Sequence, residues 1–129
     1  MRHAPMKILS LLALLASLCS CSKLISKEPH TLILRQPCYF IDNPGKDNLL
    51  PLDASSSLLE FYKEHITGTV SAGTRIKHLG AFEESDLMMT RTNHYARILT
   101  GEFKGRKVSF DWVIRGQEAG KHFYDYDIK

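Results

Sequence analysis

The chain has 129 residues, of which 43% are hydrophobic and 24% are charged, and its formal net charge is +3. This composition is ordinary for a globular protein, and it excludes a disordered tail, a collagen-like repeat and a protein that crosses a membrane many times. The length allows one domain at most. No pattern in the sequence identifies a reaction or a ligand, so the sequence is more informative about location than about chemistry.

The first segment of the chain has the layout of a secretory signal peptide. Basic Arg2 and Lys7 precede an apolar run from Ile8 to Leu18, and small residues follow that run. A helix of about 11 residues is roughly 16 Å long, whereas the hydrocarbon core of a bilayer is about 30 Å thick. The run is therefore predicted to be a targeting segment and not a permanent membrane span. The sequence leaves two candidate start residues, Met1 and Met6.

The end of this leader contains a more specific pattern. Leu18-Cys19-Ser20-Cys21 resembles the lipobox of bacterial lipoproteins. The resemblance implies that residues 1–20 are removed and that the Cys21 thiol is alkylated with diacylglycerol, since the small Ser20 lets the lipoprotein signal peptidase approach the bond. Cys19 fits poorly as the lipidated residue because the bulky Leu18 precedes it. The alternative is an ordinary signal peptide that is cut elsewhere, with Cys21 unmodified.

The lipobox resemblance also implies a location in the cell envelope. A single myristoyl chain holds a protein only marginally, and each buried methylene adds about 0.8 kcal/mol, so the three acyl chains of a bacterial lipoprotein would hold it permanently. Aspartate after the lipidated cysteine favours retention in the inner membrane. Ser22 stands there in this chain, which implies the outer membrane, facing the periplasm, if the cell is Gram-negative. In a Gram-positive cell the same anchor would hold the domain outside the plasma membrane.

After the leader, we expect a tether over residues 21–30 and a single domain over residues 31–129. Removal of the leader also removes Arg2 and Lys7, so the remaining chain is nearly neutral and no nucleic-acid partner is expected. A modest basic cluster is predicted to be the solvated face of a hairpin. Its members are Arg91, Arg97, Lys104, Arg106 and Lys107.

Cys38 is the thiol that remains once Cys19 leaves with the leader and Cys21 carries lipid. An exported domain with one thiol has no internal disulfide. Since Cys38 lies among apolar neighbours in a predicted strand, we expect it to be a buried small hydrophobe. Two alternatives are an intermolecular disulfide and the nucleophile of an envelope cysteine hydrolase, which would need an exposed Cys38 beside a histidine.

The first half of the domain is predicted to contain two short strands, a turn and a helix. The strands are Thr31–Arg35 and Cys38–Ile41, and Asn43-Pro44-Gly45 is a turn sequence. A short amphipathic helix is predicted near residues 56–66, since serines suited to an N-cap precede apolar residues at positions i, i+3, i+4 and i+7. Those residues are Leu58, Phe61, Tyr62 and His65, and we expect them to pack into the core.

The second half alternates with the period of β-strands. Three strands are predicted, over residues 74–82, 94–100 and 107–114, and glycines at 101 and 105 favour a tight turn between the last two. The tail from His122 to Ile128 also alternates and is a candidate to complete the sheet. The expected inward residues are Ile76, His78, Gly80 and Phe82 on the first strand, Ala96 and Ile98 on the second, and Val108, Phe110, Trp112 and Ile114 on the third.

Several short antiparallel strands in so small a domain favour a barrel, because closure removes exposed edges. Residues 73–77, 95–99 and 101–108 resemble an SH3-like barrel of the bacterial kind, in which a Gly-Thr-x-Ile strand leads into a long loop and a meander. The resemblance implies a mainly-β fold, a small antiparallel SH3-like barrel preceded by one short α-helix. It also implies a non-catalytic module that binds an envelope protein or peptidoglycan through aromatic side chains. The candidate aromatics are Tyr95, Phe123, Tyr124 and Tyr126.

One geometric hint favours a metal site. Alternation places His78 and His94 with the inward residues of consecutive strands, and Glu83, Glu84 and Asp86 lie between those strands. Imidazole and carboxylate groups are suitable zinc ligands, so a histidine-based metal-binding protein is a further alternative. The sequence has no i, i+4 histidine pair and no Cys-x-x-Cys motif, and we therefore expect no metal, no cofactor and no catalytic residues.

Overall fold

A computed structural model describes residues 21–26, 30–85 and 87–127 of the chain. The predicted signal peptide and its cleavage region up to residue 20 lie outside this range, as does Asp86. Strand accounts for 45% of the structure and helix for 18%. The mainly-β class predicted from the sequence is therefore confirmed.

Nine strands and two α-helices are found in the described part of the chain. The strands are β1 Cys21–Ser26, β2 Thr31–Leu34, β3 Cys38–Ile41, β4 Asn48–Pro51, β5 Ile66–Val70, β6 Arg75–Ser85, β7 Thr90–Ile98, β8 Lys107–Ser109 and β9 Tyr124–Tyr126. The helices are α1 Ser56–Tyr62, which continues into a 3-10 turn Lys63–His65, and α2 Asp111–Glu118.

All nine strands belong to one sheet, in the order β5-β3-β4-β8-β7-β6-β2-β9, with β1 paired to β6 beside this path. The pairings are antiparallel except for β4 with β8, which is parallel and joins Asn48 to Ser109. Among the described residues β5 and β9 form the two ends of the sheet and do not pair with each other. The sheet is open, and closure into an SH3-like barrel is not confirmed.

The core is built from both halves of the chain. Fully buried side chains come from β2, β3 and β4 and from β6, β7, β8 and the start of α2, namely Leu32, Leu34, Phe40, Leu49, Ile76, Ile98, Val108, Phe110 and Val113. The inward positions expected for Ala96 and Ile98 are confirmed, because both are completely buried. Phe123 also packs into this core, against the glycine of α2, Gly116.

The predicted strand over residues 107–114 is wrong in its second half. The strand ends at Ser109, and α2 begins at Asp111. In the helix, Val113 is fully buried, whereas Trp112, expected in the core, is half-buried. The apolar residues Phe110, Val113 and Ile114 have the i, i+3, i+4 spacing of a helix face. The strand was predicted from the alternation of Phe110, Trp112 and Ile114, and two of these residues also belong to the helical pattern.

The predicted helix near residues 56–66 is shorter than expected and lies at the surface. The Ser55 hydroxyl accepts a hydrogen bond from the Leu58 backbone N–H at 3.3 Å and caps α1. No residue of α1 is fully buried, and Phe61 is 75% exposed. The apolar stripe is therefore not part of the central core, and Ile66 already belongs to β5.

The predicted inward face of β6 is correct only as far as His78, because Gly80 pairs with the outward-facing Tyr95. The pairing of β6 with β7 shifts between His78 and Gly80, so that one extra residue is inserted in β6. A bulge of this kind reverses the side to which later side chains point. Ala81 is buried in consequence, and Phe82 is instead half-buried beside the Tyr95 ring.

The predicted tether contains a strand. Residues 21–26 form β1, which pairs antiparallel with the second half of β6, with Cys21 opposite Ser85. Among the described residues, no helix combines the length and the apolar character that crossing a bilayer requires.

Candidate functional site

A concave site, called the Tyr95 cleft below, has a volume of about 460 Å³. It lies between the β3–β4 loop and the outer face of β6, β7 and β8. The bulge in β6 turns Phe82 and Glu84 to the same side as Tyr95 on β7, and Lys107 on β8 completes this face. The lining residues are 42–47 of the loop together with Phe82, Glu84, Tyr95 and Lys107.

A hydrogen-bonded carboxylate, that of Glu84, lines the cleft. The Tyr95 hydroxyl donates to Glu84 Oε1, and the Asn93 side-chain amide donates to the same oxygen at 2.6 Å. Partial burial alone would raise the pKa of the Glu84 carboxyl, but these bonds and the charges of Lys46 and Lys107 lower it below its ordinary value. Burial and then the bond to Glu84 raise the pKa of Tyr95. At neutral pH the pair is therefore a carboxylate bound by a neutral phenol.

Two lysines stand over the aromatic floor of the cleft. The Nζ atom of Lys107 lies 4.7 Å from the centre of the Tyr95 ring and 5.8 Å from that of Phe82, and Lys46 Nζ lies 5.7 Å from the Tyr95 ring. Ammonium groups at these distances are attracted to the ring face. The cleft therefore presents cations and aromatic surface together.

The β3–β4 loop is held in place by contacts with β8 and the turn before it. The Arg106 guanidinium binds the Asp47 carboxylate at 2.8 Å, and the Ser109 backbone N–H donates to the Asp47 carbonyl at 2.8 Å. The Asn48 side chain donates to the Lys46 carbonyl at 3.1 Å. These bonds fix the backbone from which Lys46 extends over the cleft.

The four candidate aromatics do not form one surface. Phe123 and Tyr124 are buried, so their rings belong to the core and not to an exposed groove, which corrects the expectation for these two residues. Tyr126 is 52% exposed on β9, and its ring meets His30 edge to face at 5.6 Å between centroids. Tyr95 lies on β7, from which β9 is separated by two strands. Tyr95 is thus the candidate that lines the cleft.

The expectation that Cys38 is buried is confirmed. Its side chain is completely inaccessible, and burial, with a smaller contribution from the negative charge of Asp53, raises the pKa of its thiol to about 12. The thiol is protonated at neutral pH and is shielded from solvent. A nucleophilic cysteine requires the opposite environment, accessible and electropositive.

The structure brings His78 and His94 together, as the alternation suggested. His78 Nε2 lies 3.2 Å from His94 Nδ1, and the Phe110 ring meets His78 edge to face at 5.0 Å between centroids. The carboxylate of Glu84 is directed elsewhere, to Tyr95 and Asn93. The described residues contain no group of three or more His, Cys, Asp and Glu side chains placed to hold a metal ion.

Sequence reasoning missed the part that the β3–β4 loop plays in this site. Asn43-Pro44-Gly45 indicated a turn, but nothing local in residues 42–47 signals that the loop would lie against β6, β7 and β8. Lys107, predicted to lie on a solvated basic face, is exposed, and its ammonium group also stands over the Tyr95 ring. The side chains of Phe82, Glu84 and Tyr95 lie on one face of the sheet only because the bulge in β6 reverses the side to which Phe82 and Glu84 point.

A smaller hollow of about 290 Å³ lies between β4, α1 and α2. Trp112 lines it with the Arg115 guanidinium 4.9 Å above the ring, and a Lys121–Asp53 ion pair lies at its edge.

Comparisons with known proteins found no relative of this chain. No family model matches the chain, and no curated protein and no solved structure matches it.

Proposed function

We propose that the chain is a lipid-anchored lipoprotein of the cell envelope, without catalytic activity, that binds a protein or peptidoglycan partner near the membrane. The observation that carries the proposal is the lipobox-like sequence Leu18-Cys19-Ser20-Cys21 behind a short apolar leader. Ser22 favours the outer membrane, facing the periplasm, in a Gram-negative cell. Confinement to a thin layer raises the effective concentration of the domain for partners at that surface.

The Tyr95 cleft supports the binding part of the proposal. Its two lysines are suited to carboxylate groups, and the Tyr95 and Phe82 rings beneath them add apolar surface for a sugar or a peptide side chain. Peptidoglycan combines sugar rings with peptide carboxylates, and an acidic protein segment offers similar chemistry. The antiparallel meander β6–β7–β8, whose outer face lines one side of the cleft, is also the part of the sequence that resembles an SH3-like barrel, and we propose that this part of the sheet is SH3-like.

The environment of Cys38 supports a non-catalytic role. Its thiol is buried and has a raised pKa, which disfavours the cysteine-hydrolase alternative. The His78–His94 contact supplies two imidazoles to the metal-binding alternative, and a stable zinc site usually has three or four protein ligands.

The anchor is tested by cell fractionation of two matched variants, Cys21→Ser and Cys19→Ser. We expect Cys21→Ser to move from the membrane fraction to the soluble fraction, because it removes the lipidated thiol, while Cys19→Ser stays in the membrane. Mass spectrometry of the wild-type amino-terminal peptide should show a lipid on Cys21. An unmodified Cys21 with undiminished membrane retention in Cys21→Ser would refute lipidation.

The binding site is tested with Lys107→Gln and, as a control with the same charge change, Lys104→Gln in the exposed turn before β8. Detergent-solubilised protein is sedimented with purified peptidoglycan, and we expect Lys107→Gln to bind less than either wild type or Lys104→Gln. In parallel, a photo-crosslinking amino acid at Phe82 tests for a protein partner in intact cells, with Phe61 as the control position. Absence of both peptidoglycan binding and crosslinking specific to position 82 would overturn the assignment of the cleft.

A further inference from the structure

The β6–β7 hairpin ends beside the first residue of β1. Ser85 and Thr90 are the last paired residues before the hairpin tip. On the other edge of β6, the backbone of Cys21 pairs with the same Ser85. Three strands therefore end at one level of the sheet, and the tip extends beyond them.

The tip exposes consecutive large apolar side chains. Leu87, Met88 and Met89 are 78%, 90% and 53% exposed. The other exposed large apolar residues of the described chain occur singly: Leu24, Leu52, Phe61 and Tyr126. Contiguous exposed apolar side chains mark a contact surface, whereas single ones are normal.

We propose that the hairpin tip, Leu87–Met89, inserts into the membrane interface next to the lipid on Cys21. The inference rests on the proposed function, since it requires that lipid. Acyl chains attached to Cys21 enter the bilayer from a residue paired with Ser85. Neighbouring strands are about 4.8 Å apart and residues rise about 3.3 Å along a strand, so the bilayer surface is brought close to the tip.

The sequence around the tip limits how deeply it inserts. Asp86 precedes the apolar run and Arg91 follows it after one residue, so the run is long enough for the headgroup boundary, about 5–10 Å deep, and no more. The guanidinium of Arg91 lies 2.9 Å from the Met89 sulfur. From that position a cation can meet lipid phosphates while the apolar residues lie deeper.

Two points of attachment would fix the orientation of the domain. A lipid alone leaves the domain free to rotate, whereas a lipid and a hairpin tip define how β6 and β7 rise from the membrane. Tyr95 lies five residues along β7 from Thr90, and at 3.3 Å per residue the Tyr95 cleft would be held roughly 16 Å from the level of the tip. The partner is then contacted close to the membrane face.

The test places one fluorescent probe at the tip and one at a matched site away from it. Met88→Cys and Phe61→Cys each replace an exposed apolar residue, and the buried Cys38 does not compete for the label. The lipidated full chain is reconstituted into phosphatidylethanolamine–phosphatidylglycerol vesicles that contain lipids with a nitroxide quencher near the headgroup. We expect quenching of the probe at position 88 to be several-fold stronger than at position 61.

Mass spectrometry of Cys21 separates the two ways in which this expectation can fail. A lipidated chain whose probe at position 88 is quenched no more than the probe at position 61 overturns the tip insertion and leaves the proposed function intact. A chain without lipid on Cys21 overturns the proposed function and this inference with it.

Discussion

Replacement of the half-buried Gln117 should destabilise the fold, because its side chain forms hydrogen bonds with three backbone groups. Its Oε1 accepts hydrogen bonds from the backbone N–H groups of Phe123 at 2.7 Å and Tyr124 at 3.1 Å. Its Nε2 donates to the Tyr124 carbonyl at 2.9 Å. These bonds hold the segment before β9 against α2. In Gln117→Ala all three backbone groups lose this partner.

The expected loss follows from the number of bonds. A hydrogen bond contributes a net of about 1 kcal/mol to stability, so three bonds correspond to about 3 kcal/mol of the free energy of unfolding. For a domain of this size that loss lowers Tm by roughly 10–25 °C. Gln117→Glu keeps two acceptor bonds but turns an oxygen toward the Tyr124 carbonyl, and its loss should be intermediate.

Thermal and urea denaturation of the purified chain in detergent, followed by circular dichroism, measures these losses. Glu118→Ala is the control, because Glu118 is the exposed neighbour in α2 and its removal should change stability by less than about 0.5 kcal/mol. If Gln117→Ala is no less stable than Glu118→Ala, water replaces the side chain at no cost and the reasoning is refuted.

Three further predictions concern the core and the cleft. Gly116→Ala would place a methyl carbon 1.8 Å from Phe123 Cε2, so we expect a loss of about 1–3 kcal/mol in urea unfolding, with Gly116→Ala/Phe123→Leu losing less than the sum of the single changes. Alkylation of Cys38 in the native chain, followed by mass spectrometry of the peptide 36–46, should be far slower than in the denatured chain, and rapid labelling at neutral pH would instead favour the enzyme alternative. The pKa of the Glu84 carboxyl is lowered from 4.5, so its contribution to stability is full above pH 4.5 and disappears as the pH falls through the folded value. Tyr95→Phe removes one bond to this carboxylate and should raise its pKa in an NMR titration, and an unchanged pKa would contradict the assigned geometry.

Alternation in the sequence was sufficient to predict the central strands and part of their orientation. Ala96 and Ile98 are buried as expected, and the His78–His94 contact follows from the same reasoning. The side of Phe82 was not predictable, because one inserted residue in β6 reverses the face without changing the local pattern of apolar residues. Trp112 was misplaced because the apolar spacing there satisfies a strand and a helix at once.

The site was less predictable than the fold because its parts are distant in sequence. Tyr95 was identified among the aromatics, but Lys46 became part of the site only through bonds that tie the β3–β4 loop to β8. The pairing of β1 with β6 was equally hidden, since residues 21–26 lack the turn signals and the alternation that mark the other strands. A pairing between segments so distant in sequence depends on which edge of the sheet remains unpaired when the other strands have assembled.

The pairing of β2 with β9 has a consequence for the time at which the protein can fold. Leu32 pairs with Tyr126, so a strand near the start of the domain is completed by one near its end. Contacts between such remote segments form slowly, since a long loop must close before they contribute. A growing chain therefore cannot finish its sheet until almost all of it has been synthesised. If the chain is exported as proposed, this delay would help it to remain unfolded while it crosses the membrane.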